Sequence, residues 1–401
     1  MKQKHNRSTS THVKKRTPVH TEKFLKDESI AGKLILIAAL LSLIVANSPI
    51  AGEYAAFWST KLALGLGSWS LMLDIRQWVN EGLMAFFFMA VGLEIKREFV
   101  TGTLKSPRVA VLPIVAAAGG MAVPAAFYML FASSSSAAQG WGIPVATDIA
   151  FAVAVLSLLG SRVPVSLKIF LLTLAIADDI GAILIIALFY AQSIQYEYLV
   201  GALLIAIGVF ALRRRLANCL IAICLLGGLL WIMTHLSGVH ASIVGAFMGF
   251  LVPIAHSGSR VGVAEKIERI IAPFSAVIVV PLFALANAGF VVSSDIAASG
   301  QPALWGVIAG LMAGKVIGVT FASWLLVKVK VAQLPKGVHW RHIIGIGFIA
   351  GIGFTVSIFI TELAFPGNQP LVSAAKLGIF IASIANALIG YGILRSVGDK
   401  A

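Results

Sequence analysis

Two aspartates, Asp178 and Asp179, stand side by side in LLTLAIADDIGAILIIALF (residues 171–189), a run long and apolar enough to cross a bilayer. An ionised carboxylate at that depth costs several kcal/mol or more, so such acids face a cavity, a partner or an ion. Consecutive helical residues point about 100° apart. One carboxylate therefore lines a water-filled space while the other leans toward a neighbouring helix. Two close carboxylates repel, and their protons come off as a coupled pair. Such a pair holds protons while no cation is present and releases them when one arrives. The alternative, an acid pair capping a re-entrant loop, fits poorly because the run continues apolar on both sides.

Lys315, in WGVIAGLMAGKVIGVTFASWLL, is the cation that the sequence places at the middle of a span. A buried ammonium needs a counter-ion, and the acids at comparable depth are Asp148, Asp178 and Asp179. Thr147 and Asp148 interrupt GWGIPVATDIAFAVAVLSLLG just after Pro144, which removes a backbone donor. A second interrupted run is GIGFIAGIGFTVSIFI (345–360), crowded with glycine. Interrupted helices in corresponding places of two halves point to an ion site at the midplane. Paired helix N-termini would favour Asp148 nearby, and paired C-termini would favour Lys315.

Glu94, Arg97 and Glu98, in FFFMAVGLEIKREF, share one helix face at the end of a span. They read either as an interfacial salt bridge or as a regulatory cluster. Glu268 and Glu81 are similar cases. His240, in GVHASIVG, joins the candidate regulatory set, although a lone histidine near a helix start is more often structural. Cys219 and Cys224 read as small apolar residues beside a span.

The elements that must position these groups are membrane helices. The chain of 401 residues is 59% hydrophobic and 12% charged, against ~45–50% and ~25% for soluble domains. Runs of ~20 apolar residues number roughly twelve, centred near 40, 87, 119, 150, 178, 204, 227, 247, 280, 315, 353 and 383. They are too continuous for barrel strands, which alternate. The expectation is an all-α polytopic membrane protein. The net charge of +14 is not a nucleic-acid footprint, because it concentrates in every second loop. Basic clusters occur at Lys96–Arg108, Arg162–Lys168, Arg213–Arg215, Arg260–Arg269 and Lys328–Arg341, whereas SSSSAAQ, AQSIQYE and SSDIAASGQ carry none. Lys61, Arg76 and Lys376 are the exceptions. Positive loops stay in the cytoplasm, so both termini are expected inside. Residues 1–30 read as a basic, disordered tail that sets orientation, 31–395 as the membrane domain and 396–401 as a short cytoplasmic end. The apolar run at 34–46 lacks an A-x-A site and has too long a charged lead for a cleaved signal.

NEGLMAFFFMAVGLEIKREF, PVATDIAFA, LAIADDIGAI, PLFALANAG, GKVIG and GIGFTVSIFI, in that order, resemble the bacterial Na+/H+ antiporter NhaA family. The resemblance runs from about residue 30 to 395. It implies a secondary transporter of the inner membrane, not an enzyme, that exchanges Na+ or Li+ for H+ by alternating access and needs no cofactor. It implies twelve helices in inverted repeats, with two crossing, unwound ones near 148 and 352. Asp179 and Asp178 would form the ion site, Lys315 would pair with Asp178, and Thr147 and Asp148 would compensate half-helix ends. Glu94, Arg97, Glu98 and Glu268 would map to a pH-responsive cytoplasmic funnel, and the loop at 50–75 would supply a homodimerisation hairpin. Arg269 and Ala272 depart from the family pattern, standing where histidines are expected, which bears on the pH set-point. With two titratable acids, more than one proton per sodium would make exchange voltage-sensitive.

Two rival classes fit less well. An intramembrane aspartyl protease needs acids facing each other from separate helices. A cation channel needs a ring of ligands from several subunits or repeats.

Overall fold

The computed structural model describes residues 19–66, 69–191, 193–216, 220–252, 263–291 and 300–398. Within lipid a backbone must satisfy its own hydrogen bonds, so the apolar runs fold as helices. Among the described residues, seven helices are long and apolar enough to span a membrane, or up to ten if each bent pair is one span. The helices around 227 and 247 are shorter than the full spans expected there: Leu220–Leu236 and Ser242–Leu251 have 17 and 10 residues. Cys224 is exposed on the first of them. Cys219 lies outside the described residues, as does Arg260.

One expectation needs correction. The first helix starts at Val19, so residues 19–30, expected as disordered tail, are helical. Lys61–Leu66 and Trp69–Asp74 form an antiparallel hairpin with Lys61 opposite Asp74, in the stretch expected to be a hairpin-bearing loop. Asp74 then caps the next helix, accepting from the Gln77 backbone N–H at 2.7 Å while Gln77 Oε1 accepts from Asp74 N–H.

Two spans are broken in the middle. A 3₁₀ helix, Ser136–Val145, is followed after an extended turn by Ile149–Leu158, bent by 45°. Trp340–Ala350 is followed by Phe354–Ala364, bent by 46°. Pro144 and Gly351–Gly353 lie at these breaks, where a continuous hydrogen-bond ladder fails. The breaks touch, and Asp148 N–H donates to Ile352 O at 2.7 Å. The aspartate helix (Val165–Phe189) and the lysine helix (Gln301–Lys328) run beside this point. The lysine helix carries a π-bulge, Gly310–Gly314, immediately before Lys315.

The helix Ile75–Val100 carries the Glu94 cluster, and the short helix Ser242–Leu251 packs along it backbone to backbone. A Cβ added at Gly245 would lie 1.8 Å from Ala85 O. That contact cannot be relieved without separating the helices, so glycine here sets the interhelical distance.

A prediction follows from the contrast with Gly208, where an added Cβ meets nothing within 4 Å. Gly245→Ala should lose ~1–3 kcal/mol or more through overpacking. Gly208→Ala should be neutral or slightly stabilising, because alanine favours helix. Melting in detergent measures both; a Gly245→Ala protein as stable as wild type would contradict the packing.

Candidate functional site

Asp178 and Asp179 emerge from the aspartate helix in different surroundings. Asp178 is fully buried and its Oδ2 accepts from Lys315 Nζ at 2.7 Å. Lys315, also at 0% exposure, donates a second hydrogen bond to Val145 O at 2.6 Å. Thr147 Oγ1 stands 2.6 Å from Asp178 Oδ2 and 2.8 Å from Ala350 O, with one proton to give between them. Asp178 Oδ1 has no hydrogen-bond partner among the described residues.

Asp148 occupies the opposite side of the crossing. Its Oδ1 accepts from Phe151 N–H at 3.2 Å, as the N-cap of Ile149–Leu158. Its Oδ2 accepts from Thr355 N–H at 3.0 Å and Thr355 Oγ1 at 2.5 Å, in the first turn of Phe354–Ala364. One carboxylate thus meets two helix N-termini, whose partial charge is positive. The two C-terminal carbonyls, Val145 O and Ala350 O, instead meet the Lys315 ammonium and the Thr147 hydroxyl. The charges sit where the helix ends call for them.

Asp179 faces space. A cavity of ≈110 Å³ is lined by Asp179, Asp148, Thr147 and Thr355 at its inner end. That is room for several water molecules or a partly hydrated cation. At the outer end it is lined by Glu94, Arg97 and Glu268, with side chains 20, 41 and 24% exposed, so it leads outward. Arg97 is hydrogen-bonded to Glu268, and its other amino group lies 3.9 Å from Glu94. Arg269 pairs with Glu265 at 2.7 Å on the exposed side, whereas Ala272 lines the cavity.

The cavity thus joins Asp148, Asp179, Thr147, Glu94, Arg97 and Glu268 in one continuous space. Two sequence-based groupings need correction. Glu98, expected beside Arg97, turns to the following loop and accepts from Thr103 N–H and Oγ1, each at 2.9 Å. The i, i+4 spacing fixed its helix face but not its direction, and two orphan donors after the helix end captured it. His240 is at the other end of the same helix bundle, near Glu81, some 13 residues along from Glu94, or ~20 Å of helix rise. There burial holds its imidazole below the usual range, with Glu81 opposing the shift. Glu81 is bonded instead to His235, with Nδ1 to Oε2 at 2.5 Å. Sequence reasoning also missed Thr355, Ser357 and Asn386. Ser357 Oγ donates to Ile143 O at 2.7 Å, and Asn386 Nδ2 donates to Gly351 O at 2.7 Å. Thr355 was within reach, two residues beyond the glycine cluster of an interrupted helix.

A family model described as Na+/H+ antiporter 1 matches residues 22–394. The chain is 45% identical over 381 residues to the Na(+)/H(+) antiporter NhaA of Shewanella sp. (strain ANA-3), covering 94% of this chain and 97% of that protein. It is 44% identical over 380 residues to the NhaA of Pectobacterium atrosepticum, with 94% and 96% covered. To the NhaA of Shewanella oneidensis it is 45% identical over 383 residues, with 94% and 97% covered.

The buried pair yields a stability prediction. Lys315→Ala leaves Asp178 uncompensated, a loss on the order of 3–5 kcal/mol. Its melting temperature should fall further than that of Asp179→Asn, whose side chain faces the cavity. Replacing both partners, Asp178→Asn with Lys315→Gln, should recover most of the loss. Unchanged melting of Lys315→Ala would mean that the ammonium is not what compensates Asp178.

Proposed function

The chain belongs to the Na+/H+ antiporter 1 family and exchanges Na+ for H+, and from that premise we propose that Asp179 and Asp178 are the groups for which the two ions compete. The observation that carries this reading is the asymmetry of the pair. Asp178 is held by Lys315 and Thr147, while Asp179 opens into the cavity beside Asp148. Asp179 meets the incoming cation. Its carboxylate gives up a proton as Na+ or Li+ arrives, and Asp178 adds the second titratable group through its contact with Lys315. Asp148, Thr147 and Thr355 fix the half-helix ends so that the site keeps its shape without a resident ion.

The cavity leads toward Lys96, Arg97 and the basic loop that follows, the side that the charge distribution assigns to the cytoplasm. This conformation is therefore the inward-facing one, and exchange proceeds by alternating access in the bacterial inner membrane with both termini cytoplasmic. The two bent helices, hydrogen-bonded at their breaks, support a crossing of inverted repeats. The two shorter apolar helices, added to the ten candidate spans, support a count of twelve. The hairpin at 61–74 is the surface for homodimerisation. Glu94, Arg97 and Glu268 set the pH response from the cavity mouth, where Arg97 pairs with Glu268, approaches Glu94 and faces the space that runs on to Asp179.

Na+-driven proton movement in everted vesicles tests the site. Asp179→Asn and, separately, Asp178→Asn should abolish it at rates normalised to folded transporter, since an amide exchanges no proton for a cation. Near-normal exchange in either would sink the shared-site mechanism. In the wild type, apparent KM for Na+ should rise as pH falls, by up to about tenfold per unit for each proton displaced, and level off on the alkaline side.

Regulation separates from competition by a second variant. Glu268→Gln loses the charge that holds Arg97 and should shift the pH of half-activation while sparing the apparent Na+ KM at alkaline pH. An unmoved activity curve against pH would leave the Arg97 cluster a structural salt bridge.

A further inference from the structure

Asn386 lies in the middle of the long helix Gln369–Gly398 and is wholly buried. Both of its amide protons are committed. Nδ2 donates to Gly351 O at 2.7 Å and to Leu311 O at 3.1 Å, which also fixes the amide orientation. Each acceptor is a carbonyl that its own helix has released. In an unbroken helix Gly351 O would accept from Thr355 N–H, but that donor is given to Asp148 Oδ2 at 3.0 Å. Leu311 belongs to the π-bulge Gly310–Gly314, in which Lys315 N–H reaches back to Gly310 O and the regular ladder is shifted. A bulge of this kind leaves a carbonyl without its usual partner.

The two carbonyls belong to the two elements that reach the site's buried carboxylates, Asp178 and Asp148. The bulge delivers Lys315 to Asp178, and the break delivers Thr355 to Asp148. They approach closely, since a Cβ added at Gly351 would lie 2.4 Å from Leu311 O and 2.4 Å from Asn386 Nδ2. We infer that Asn386 is a positioning residue for exchange: it ties the lysine-bearing bulge to the Gly351–Gly353 break that presents Thr355 to Asp148, so that Lys315 and the half-helix Phe354–Ala364 move as one unit. This rests on the reading of Asp178 and Asp179 as the ion site. Without the tie the ammonium is no longer held at Asp178, and a carboxylate that loses its cation favours its protonated form. Protons then compete better against Na+.

The test uses full-length protein in everted vesicles, with rates normalised to folded transporter. Asn386→Ala should raise the apparent Na+ KM about five- to tenfold, the size expected when one or two backbone hydrogen bonds stop fixing a site. Its pH profile should move to the alkaline side. Asn386→Ser keeps one donor and should fall between Asn386→Ala and wild type; it carries the test if the alanine variant is not recovered folded. Ser383→Ala removes a buried hydroxyl one turn away on the same helix and should leave both readouts at wild type. Wild-type KM and pH profile in both Asn386 variants, even with a lowered melting temperature, would reduce Asn386 to packing and overturn the proposal. Exchange retained in Asp179→Asn within the same series would instead remove the site on which the proposal stands.

Discussion

Lys315 and Asp178 are both shut off from solvent, and an ammonium and a carboxylate so placed must satisfy each other and their remaining protons and lone pairs together. Most of the surrounding architecture answers that demand. The lysine reaches Asp178 because a π-bulge reorients its helix at the residue before it. It reaches Val145 O because the 3₁₀ helix stops there with its last carbonyl unused. Thr147, in the extended turn that follows, supplies the second contact to Asp178 Oδ2. A buried pair of this kind contributes little net stability over an apolar substitute of the same shape, while removal of one partner costs several kcal/mol. Its retention at the centre of a membrane domain is therefore better explained by the proposed work of the site than by folding.

The broken helices follow the same logic. Two interrupted spans bring four helix ends to one depth, where unpaired backbone groups have no water to turn to. The N-terminal pair is gathered by Asp148, which accepts from Phe151 and twice from Thr355, and the carbonyls of the other pair by Lys315, Thr147 and Asn386. The arrangement carries its charge compensation internally. In the proposed mechanism that leaves Asp179, which faces the cavity, free to change partners between Na+ and protons without leaving a helix end uncompensated.

How much of this was legible in the sequence depended on how unusual each residue is for a membrane span. Asp178, Asp179, Asp148 and Lys315 stood out because charge in an apolar run is expensive, and the pairing of helix ends with opposite charges followed from the two interruptions. The neutral partners carried no such signal. Asn386 and Ser357 are of types that occur in many membrane helices, so only the geometry picks them out. The π-bulges were unreadable because a one-residue shift in the ladder leaves the apolar pattern intact. Glu98 and His240 were misgrouped for a related reason: spacing gives the face of a helix, but not which nearby donor wins the side chain or which end of the bundle it joins. The hairpin was expected from the resemblance, whereas the bounds of its strands, Lys61–Leu66 and Trp69–Asp74, came only with the backbone.

The most direct measurement of the central claim is the number of protons released when Na+ binds to purified protein. Calorimetric titration of Na+ at alkaline pH, repeated in two buffers of different ionisation heat, gives that number without a membrane or a gradient. If Na+ and H+ share Asp178 and Asp179, binding should release about one to two protons per Na+, and Asp179→Asn should show neither binding heat nor release. Na+ binding with a heat independent of the buffer, and therefore no proton displaced, would contradict the account.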